Sequence, residues 1–335
     1  MDFRVWNGPA HRKTLVVLGA GASRGASFVR DDRYEARPPL DSDFFSEMQR
    51  IKQASDVKED VDGLLRFVRK EFGFNLTLSM EHFFSHVEAA DRFHEEVKID
   101  SGPKIRSYRQ ALQKFHRSLP ILFKRAIGNN NCEYHERLVS RLLPEDVILS
   151  FNYDCLIDAA LYKHPKKLWN PAEGYGFTAQ VNAKSSHAKM GRIRSPKKSI
   201  TLLKPHGSLN WDGVPAGQVS LTANPYNIKT AEGRIIPPTW FKSVKEYPYE
   251  DVWKRTRREI RECRALIVIG YSIPPTDLFS RLLFRIDVNS IEFLVIANPI
   301  FSDRQKFIDL IDGNTKANLR VVEFDNLEKL ANSLS

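Results

Sequence analysis

TLVVLGAGAS, residues 14–23, runs a short apolar strand straight into glycine, alanine, glycine, alanine and serine. Gly19 and Gly21 let the backbone turn tightly and come close to a ligand, and a helix beginning there points N–H groups at an anion. The segment reads as the phosphate-facing turn of a nucleotide-binding α/β unit. A simple strand-to-helix turn has the same appearance, and Arg24 stands where the pattern GxGxxG has its third glycine. The rest of the chain has to decide between the two.

Outward from that turn, short apolar runs recur as DVILS (146–150), ITLLK (200–204), ALIVIG (265–270), EFLVIA (292–297) and LRVVEF (319–324). Each is nearly continuous in apolar character, as expected of strands buried on both faces. SDFFSEMQRIKQ, VDGLLRFVRKEF, SMEHFFSHVEAADRFHEEV and SYRQALQKFHRSLPILFKRAI instead space their apolar residues by three and four, the helical period. The expected class is α/β, a Rossmann-like, doubly wound, mainly parallel six-stranded sheet. Residues 42–142 are expected to form a large helical insertion between the first strand and the next. Residues 163–198, rich in glycine, proline and basic residues, read as a loop or small excursion module. The whole of 1–335 is taken as a single domain.

At 335 residues and 42% hydrophobic content, the chain can bury a large core. Its apolar runs are too short to cross a bilayer, which takes about 20 residues. Its start, MDFRVWNGPAHRK, carries no apolar signal region, so a cytoplasmic protein without membrane contact is expected. Cys132, Cys155 and Cys263 are scattered and form no CxxC pair, which argues against a zinc ribbon or a disulfide framework. No metal is expected. The net charge of +10 suits a polyanionic partner. Part of it lies in residues 184–199, where Lys184, Lys189, Arg192, Arg194, Lys197 and Lys198 make a basic loop, either a polyanion or partner contact or a merely solvated segment. Another part lies in KRTRREIRECR (254–264), read as a helix with a solvated charged face.

Ligands of open α/β sheets bind beyond the carboxyl ends of the strands. There the sequence places GAGAS with Gly19, Ala20, Gly21 and Ser23, then FNYDCLID with Asn152 and Asp154, then PHGSLNW with His206. Gly270, Tyr271 and Ser272 follow the ALIVI run, Asn298 and Pro299 follow FLVIA, and Asp325 follows RVVEF. Singly, each has an ordinary structural explanation: Asn152 and Asp154 as a turn and helix cap, His206 as a core histidine, Thr276 or Asp277 as the cap of the helix LFSRLLFR. As a series they point to a nucleotide-binding site.

GAGAS, SFNYD, KPHGS, GYS and ANP, in that order and each after a strand, resemble the sirtuin-like NAD-binding family. The resemblance covers about residues 12–25 and 145–330 and leaves out the helical insertion. It implies that Gly19, Ala20, Gly21 and Ser23 receive the NAD pyrophosphate, and that Asn152 and Asp154 sit by the nicotinamide and its ribose. It further implies that His206 is catalytic, that Gly270, Tyr271 and Ser272 contact the adenosine, and that Asn298 binds a ribose. The paired zinc cysteines of the deacylases are missing, and their GAGxSxxxGIPxFR loop is replaced by GAGASRGASFVRDDRYEARPPLDSDFF. PPLDSDFF followed by SMEHFF is instead similar to the zinc-free sirtuin-like proteins of bacterial antiphage systems, which hydrolyse NAD.

The resemblance implies an NAD glycohydrolase, with NAD as substrate and with Asn152 and His206 as the catalytic pair. Asn152, having a donor and an acceptor, could hold a water or the ribose hydroxyls, and His206 could take a proton from either. The alternatives are ADP-ribosyl transfer or deacylation, or a regulatory subunit that binds NAD or associates with nucleic acid without turnover. Uncontrolled NAD loss is toxic, so the resemblance also implies control by a homo-oligomer or by a partner chain such as an ATPase or a nucleic-acid-guided protein.

Overall fold

The computed structural model of the chain describes residues 13–29, 36–51, 58–73, 78–97, 103–181, 199–212, 218–236, 245–274, 277–286, 288, 290–313 and 318–334. The apolar runs form β1 (Thr14–Leu18), β2 (Val147–Ser150), β4 (Thr201–Leu203), β7 (Ala265–Ile269), β8 (Phe293–Ala297) and β9 (Arg320–Phe324). All six pair in parallel, in the order β4-β2-β1-β7-β8-β9. Numbered along the chain this is 3-2-1-4-5-6, the Rossmann order, with its switch point between β1 and β7. The register aligns the strand ends: Leu18 lies opposite Ser150 and Ile269, and Ile269 lies one step before Gly270 on the same edge.

β1, β2, β4 and β7 are buried throughout, and β8 nearly so. β9 departs from the expectation of a strand covered on both faces. It is an edge strand with a single neighbour, and Val321 is 37% exposed. Arg320 and Glu323 on the same strand keep that edge charged, a feature that discourages further strand addition.

Between β1 and β2 the chain forms α1 (Ala20–Arg24), α2 (Phe44–Arg50), α3 (Lys58–Phe72), α4 (Met80–Val97), α5 (Pro103–Ala126) and α6 (Glu133–Ser140). The apolar stripes of α2 to α5 meet in an aromatic core. Phe44 stacks on Phe115 at 5.1 Å, Phe45 meets Phe83 edge-on at 5.4 Å, and Phe84 meets Phe115 at 4.5 Å. Such pairs add about 0.5–1.5 kcal/mol each beyond the area they bury. Arg24, in place of the third glycine, ties this body to the sheet: it donates to Pro38 O at 2.6 Å and pairs with Asp43 at 2.5 Å.

α5 contains Pro120, which has no N–H to give to the carbonyl four residues earlier. That carbonyl belongs to His116 and instead accepts from Ala231 N at 2.8 Å. A loop far along the chain is thereby fastened to the insertion.

After β2 come α7 (Leu156–Tyr162), β3 (Gln180–Val181), β5 (Trp211–Asp212) and β6 (Ser220–Leu221), and the last three make a small separate sheet. The remaining helices are α8 (Tyr249–Glu262), α9 (Leu278–Ile286), α10 (Phe301–Asp312) and α11 (Leu327–Ser333). Along α8 the basic residues Lys254, Arg257, Arg258 and Arg261 are exposed, while Val252, Trp253, Thr256 and Ile260 are buried. All three cysteines are buried and unbridged. Of the basic stretch 184–199 only Ser199 falls among the described residues. No described helix is long and apolar enough to cross a membrane.

His116 packs its ring against Phe115 and Phe84, and burial holds its pKa down to about 4 from 6.5. The unfolded chain takes up this proton below pH 6.5, while the folded protein refuses it until about pH 4. Its contribution to stability is therefore complete above pH 6.5 and is lost as the pH falls toward 4, by up to about 3 kcal/mol. Chemical denaturation across that window should show His116→Gln with a shallower loss of stability than the parent protein.

Candidate active site

At the switch point the turn after β1 crosses the end of β7 with backbone against backbone. A Cβ on Gly19 would stand 2.5 Å from Gly270 O, and one on Gly21 would stand 2.7 Å from Gly270 Cα. Gly270 itself has φ of 58°, and its Cβ would stand 2.3 Å from Ala22 N. Gly19 N donates to Ile269 O at 3.0 Å and Gly21 N to Gly270 O at 2.9 Å. This corrects the expectation that these amides face an anion. The two glycine N–H groups are spent on β7, and the glycines are required first by the packing of the protein on itself.

Above this crossing lies a cleft of about 350 Å³, within the range of small-molecule sites. Its lining includes Gly19, Ala20, Gly21 and Ser23 from the β1 turn, Asn152, Asp154 and His206 from beyond β2 and β4, and Gly270, Tyr271, Ser272 and Asn298 from beyond β7 and β8. The structure thus brings every residue proposed from the sequence for catalysis or NAD contact into one cavity. Asp325, the polar residue after β9, is not part of the lining.

The polar side chains are held by specific bonds. Asn152 Nδ2 donates to Gly19 O at 2.8 Å and to Ser23 Oγ at 3.0 Å. Both amide hydrogens are thereby committed, and Oδ1 is the group that Asn152 can offer a ligand. Ser23 Oγ donates to Asp154 Oδ2 at 2.6 Å, and Asp154 Oδ1 accepts from Leu156 N at 3.0 Å at the start of α7. Asp154 therefore joins the β1 turn to the β2 turn and caps a helix. Asn298 Oδ1 accepts from Ile300 N at 2.9 Å ahead of α10, which leaves its NH2 as the donor for a ligand.

His206 is 4% exposed and lies between aromatic rings, with Phe151 at 5.1 Å and Trp253 at 6.2 Å. Its Nε2 stands 3.2 Å from Asp277 Oδ2. Asp277 is fixed in turn by Ser280, whose Oγ donates to Oδ2 at 2.6 Å and whose N donates to Oδ1 at 3.3 Å. Asp277 does cap α9, as read from the sequence, but its second oxygen also orients the histidine. A carboxylate at Nε2 keeps the proton on that nitrogen, makes Nδ1 the basic one, and favours the imidazolium once it forms. The backbone around His206 is held by the loop that Pro120 releases α5 to bind: Ser208 N donates to Arg234 O at 3.0 Å and Ile236 N to His206 O at 2.8 Å.

The chain between β1 and β2 supplies two further acids that sequence reasoning did not assign, Asp41 just ahead of the insertion and Glu81 within it. Asp41 lies in PPLDSDFF, singled out by resemblance, and Glu81 in SMEHFF, singled out both by resemblance and as the start of a helical pattern. Asp41 accepts from Glu81 N at 2.9 Å, and burial pushes its carboxyl above the usual range. Tyr153 shows how closely these groups gather. Its hydroxyl is pushed well above the ordinary value by burial and then by the charges of Glu81, Asp277 and Asp41. Among the described residues, the lining holds acids and one histidine and no Lys or Arg. No group of three or more His, Cys, Asp or Glu suited to a metal ion occurs among the described residues.

No protein-family model matches the chain. No curated protein sequence matches it either. Among solved structures the chain is similar to a Sir2 mutant with a p53 peptide and NAD, at 12% identity over 99% of this chain and 94% of that one, with a TM-score of 0.38. It is also similar to a Sir2 homolog–NAD complex, at 11% identity over 100% and 94% of the two chains, with a TM-score of 0.41.

The glycine crossing can be tested against an open glycine. Gly73 also has positive φ, at 76°, but a Cβ there meets nothing within 4 Å. Gly73→Ala should cost about 1 kcal/mol, the backbone conformation alone. Gly270→Ala adds a collision with Ala22 and Gly21 and should cost about 2–5 kcal/mol in denaturant unfolding.

Proposed function

We propose that the protein hydrolyses NAD at the nicotinamide–ribose bond, releasing nicotinamide and ADP-ribose. The observation that carries this reading is the His206–Asp277 pair in a cleft whose other charged groups among the described residues, Asp41, Glu81, Asp154 and Asp303, are all acids. The nicotinamide ring of NAD is cationic. As its bond to C1′ breaks, the ring leaves neutral and the positive charge moves onto the ribose, giving an oxocarbenium-like centre. Carboxylates set in a low-dielectric cleft favour that charge more in the transition state than water would. The lining suits this end of the substrate better than its pyrophosphate, for which the remaining groups are backbone amides and hydroxyls such as Ser42 and Ser272.

Water then attacks C1′, the new C–O bond forms, and the proton lost by the water passes to the basic nitrogen of His206. Asp277 holds the ring at the right tautomer and stabilises the imidazolium. Asn152 Oδ1 accepts from the water or from a ribose hydroxyl and fixes its position. Phe151, stacked on Tyr271 at 4.4 Å, keeps the cleft wall apolar beside the histidine. Free NAD hydrolysis would deplete the cell that makes it, so this reading includes control by self-assembly or by a partner chain, in the manner of an antiphage effector.

The test is NAD loss followed by chromatography with the full chain, alone and with the products of neighbouring genes. Replacing the base, in His206→Ala, should lower turnover by about 10²–10⁴-fold while NAD binding persists. Asp277→Asn should also lower turnover and should displace the pH–rate profile, since the ring loses its orienting charge. A folded His206→Ala protein with undiminished turnover would sink the proposal. Binding of NAD with no turnover under any of these conditions would favour a regulatory subunit.

A further inference from the structure

A second cavity, of about 360 Å³, lies behind the turn that carries Asp154 and is walled by Cys155 and Leu156. Its rim is lined by the exposed side chains of Asn129, Asn131, Asn224 and Asn227, and Asn210 reaches it from the interior. None of these residues has a part in the NAD cleft.

A chain of hydrogen bonds settles which way the Asn210 amide points. Lys204 Nζ, fully buried, donates to Asp158 Oδ2 at 3.1 Å. The single proton of the Tyr175 hydroxyl is donated to Asp158 Oδ1. Tyr175 can then only accept from Asn210, and Asn210 Nδ2 donates to it at 2.8 Å. The side-chain oxygen of Asn210, Oδ1, is what remains. It accepts no hydrogen bond among the described residues, although the side chain is only 2% exposed. Buried acceptors are rarely left without a donor, and here the cavity is the place from which one can come.

The lining also defines the ligand. Asp158 is neutralised by Lys204, so the interior presents carboxamides and the hydroxyl of Thr222 rather than net charge, with Lys124 the one basic residue of the lining among the described residues. Each carboxamide offers a donor and an acceptor side by side, a pairing matched by two adjacent hydroxyls. The ring of Tyr226 gives the cavity an aromatic surface, and its hydroxyl accepts from Cys155 N at 3.0 Å, which holds it in place. We propose that this cavity binds a small neutral molecule with a vicinal diol, a nucleoside or a free sugar, and that Asn210 Oδ1 accepts from one of its hydroxyls.

Calorimetric titration of the full chain with ribose, adenosine and 2′-deoxyadenosine tests this independently of NAD turnover. Binding of adenosine or of ribose is expected, and which of the two binds identifies the source of the diol. 2′-Deoxyadenosine should bind at least tenfold more weakly than adenosine. Asn210→Leu removes the acceptor and should weaken binding at least tenfold. Because that change also disturbs the Tyr175 bond, Ala223→Trp provides a second variant: Ala223 is a partly exposed lining residue, and the indole should fill the cavity without touching the buried chain. Ser272→Trp, whose indole fills the other cleft at its adenosine end, should bind the probe as the parent does. The proposal is overturned if neither ribose nor adenosine binds, if Ala223→Trp binds the probe undiminished, or if Ser272→Trp abolishes binding, since the probe would then occupy the NAD cleft.

Discussion

Where the turn after β1 meets the end of β7, two stretches of backbone lie so close that no side chain fits between them. Gly19, Gly21 and Gly270 make that contact, and the other parts of the site take their positions from it. The carbonyl of Gly19 receives the Asn152 amide, Ser23 on the following helix receives the same amide and binds Asp154, and Tyr271 leaves Gly270 to stack on Phe151. A sheet that changes direction at β1 opens a crevice there in any case. The glycines determine how deep its floor lies and how tightly the residues from β2 and β7 are drawn over it.

Charge and position within the cleft come from different parts of the chain. The sheet provides Asn152, Asp154 and His206 at strand ends. The chain between β1 and β2 provides Asp41 and Glu81, and the start of α9 provides Asp277. Lys204 works beneath them. It is fully buried, and although burial opposes its charge, the carboxylates of Asp158 and Asp154 around it hold its pKa above the ordinary value. By donating to Asp154 O at 2.6 Å as well as to Asp158, it fixes the turn that separates the two cavities.

The six sheet strands were legible because parallel strands covered on both faces need unbroken apolar runs, and such runs are visible without knowledge of their neighbours. β9 shows the limit of that signal. Its Val321 and Val322 read like part of a covered strand, but Arg320 and Glu323 interrupt the run and its place at the edge leaves it exposed. The two-residue strands of the small sheet carry no period at all. Within the site, residues at strand ends could be located because the sheet itself orders them. The second role of Asp277 could not, since a helix cap and a histidine partner 71 positions apart (277 − 206) differ only in tertiary placement. Nor could the sequence show that the amides of Gly19, Gly21 and Asn152 are spent inside the protein, because hydrogen-bond partners depend on how turns meet.

Pro120 illustrates how a local defect can serve a distant part. A proline inside a helix is usually counted as a loss of one bond. Here the loss creates a vacancy in the acceptor count that the amide of Ala231 fills, and the same loop, a few residues on, grips the backbone of His206. One main-chain bond thus links the insertion to the loop that holds the histidine's backbone. An alanine at position 120 would bring into the helix a competing N–H aimed at the carbonyl that the loop relies on. The helix would become more regular and the loop less firmly tethered, so that a change which improves the helix by its own standards loosens the residue whose placement the chemistry requires.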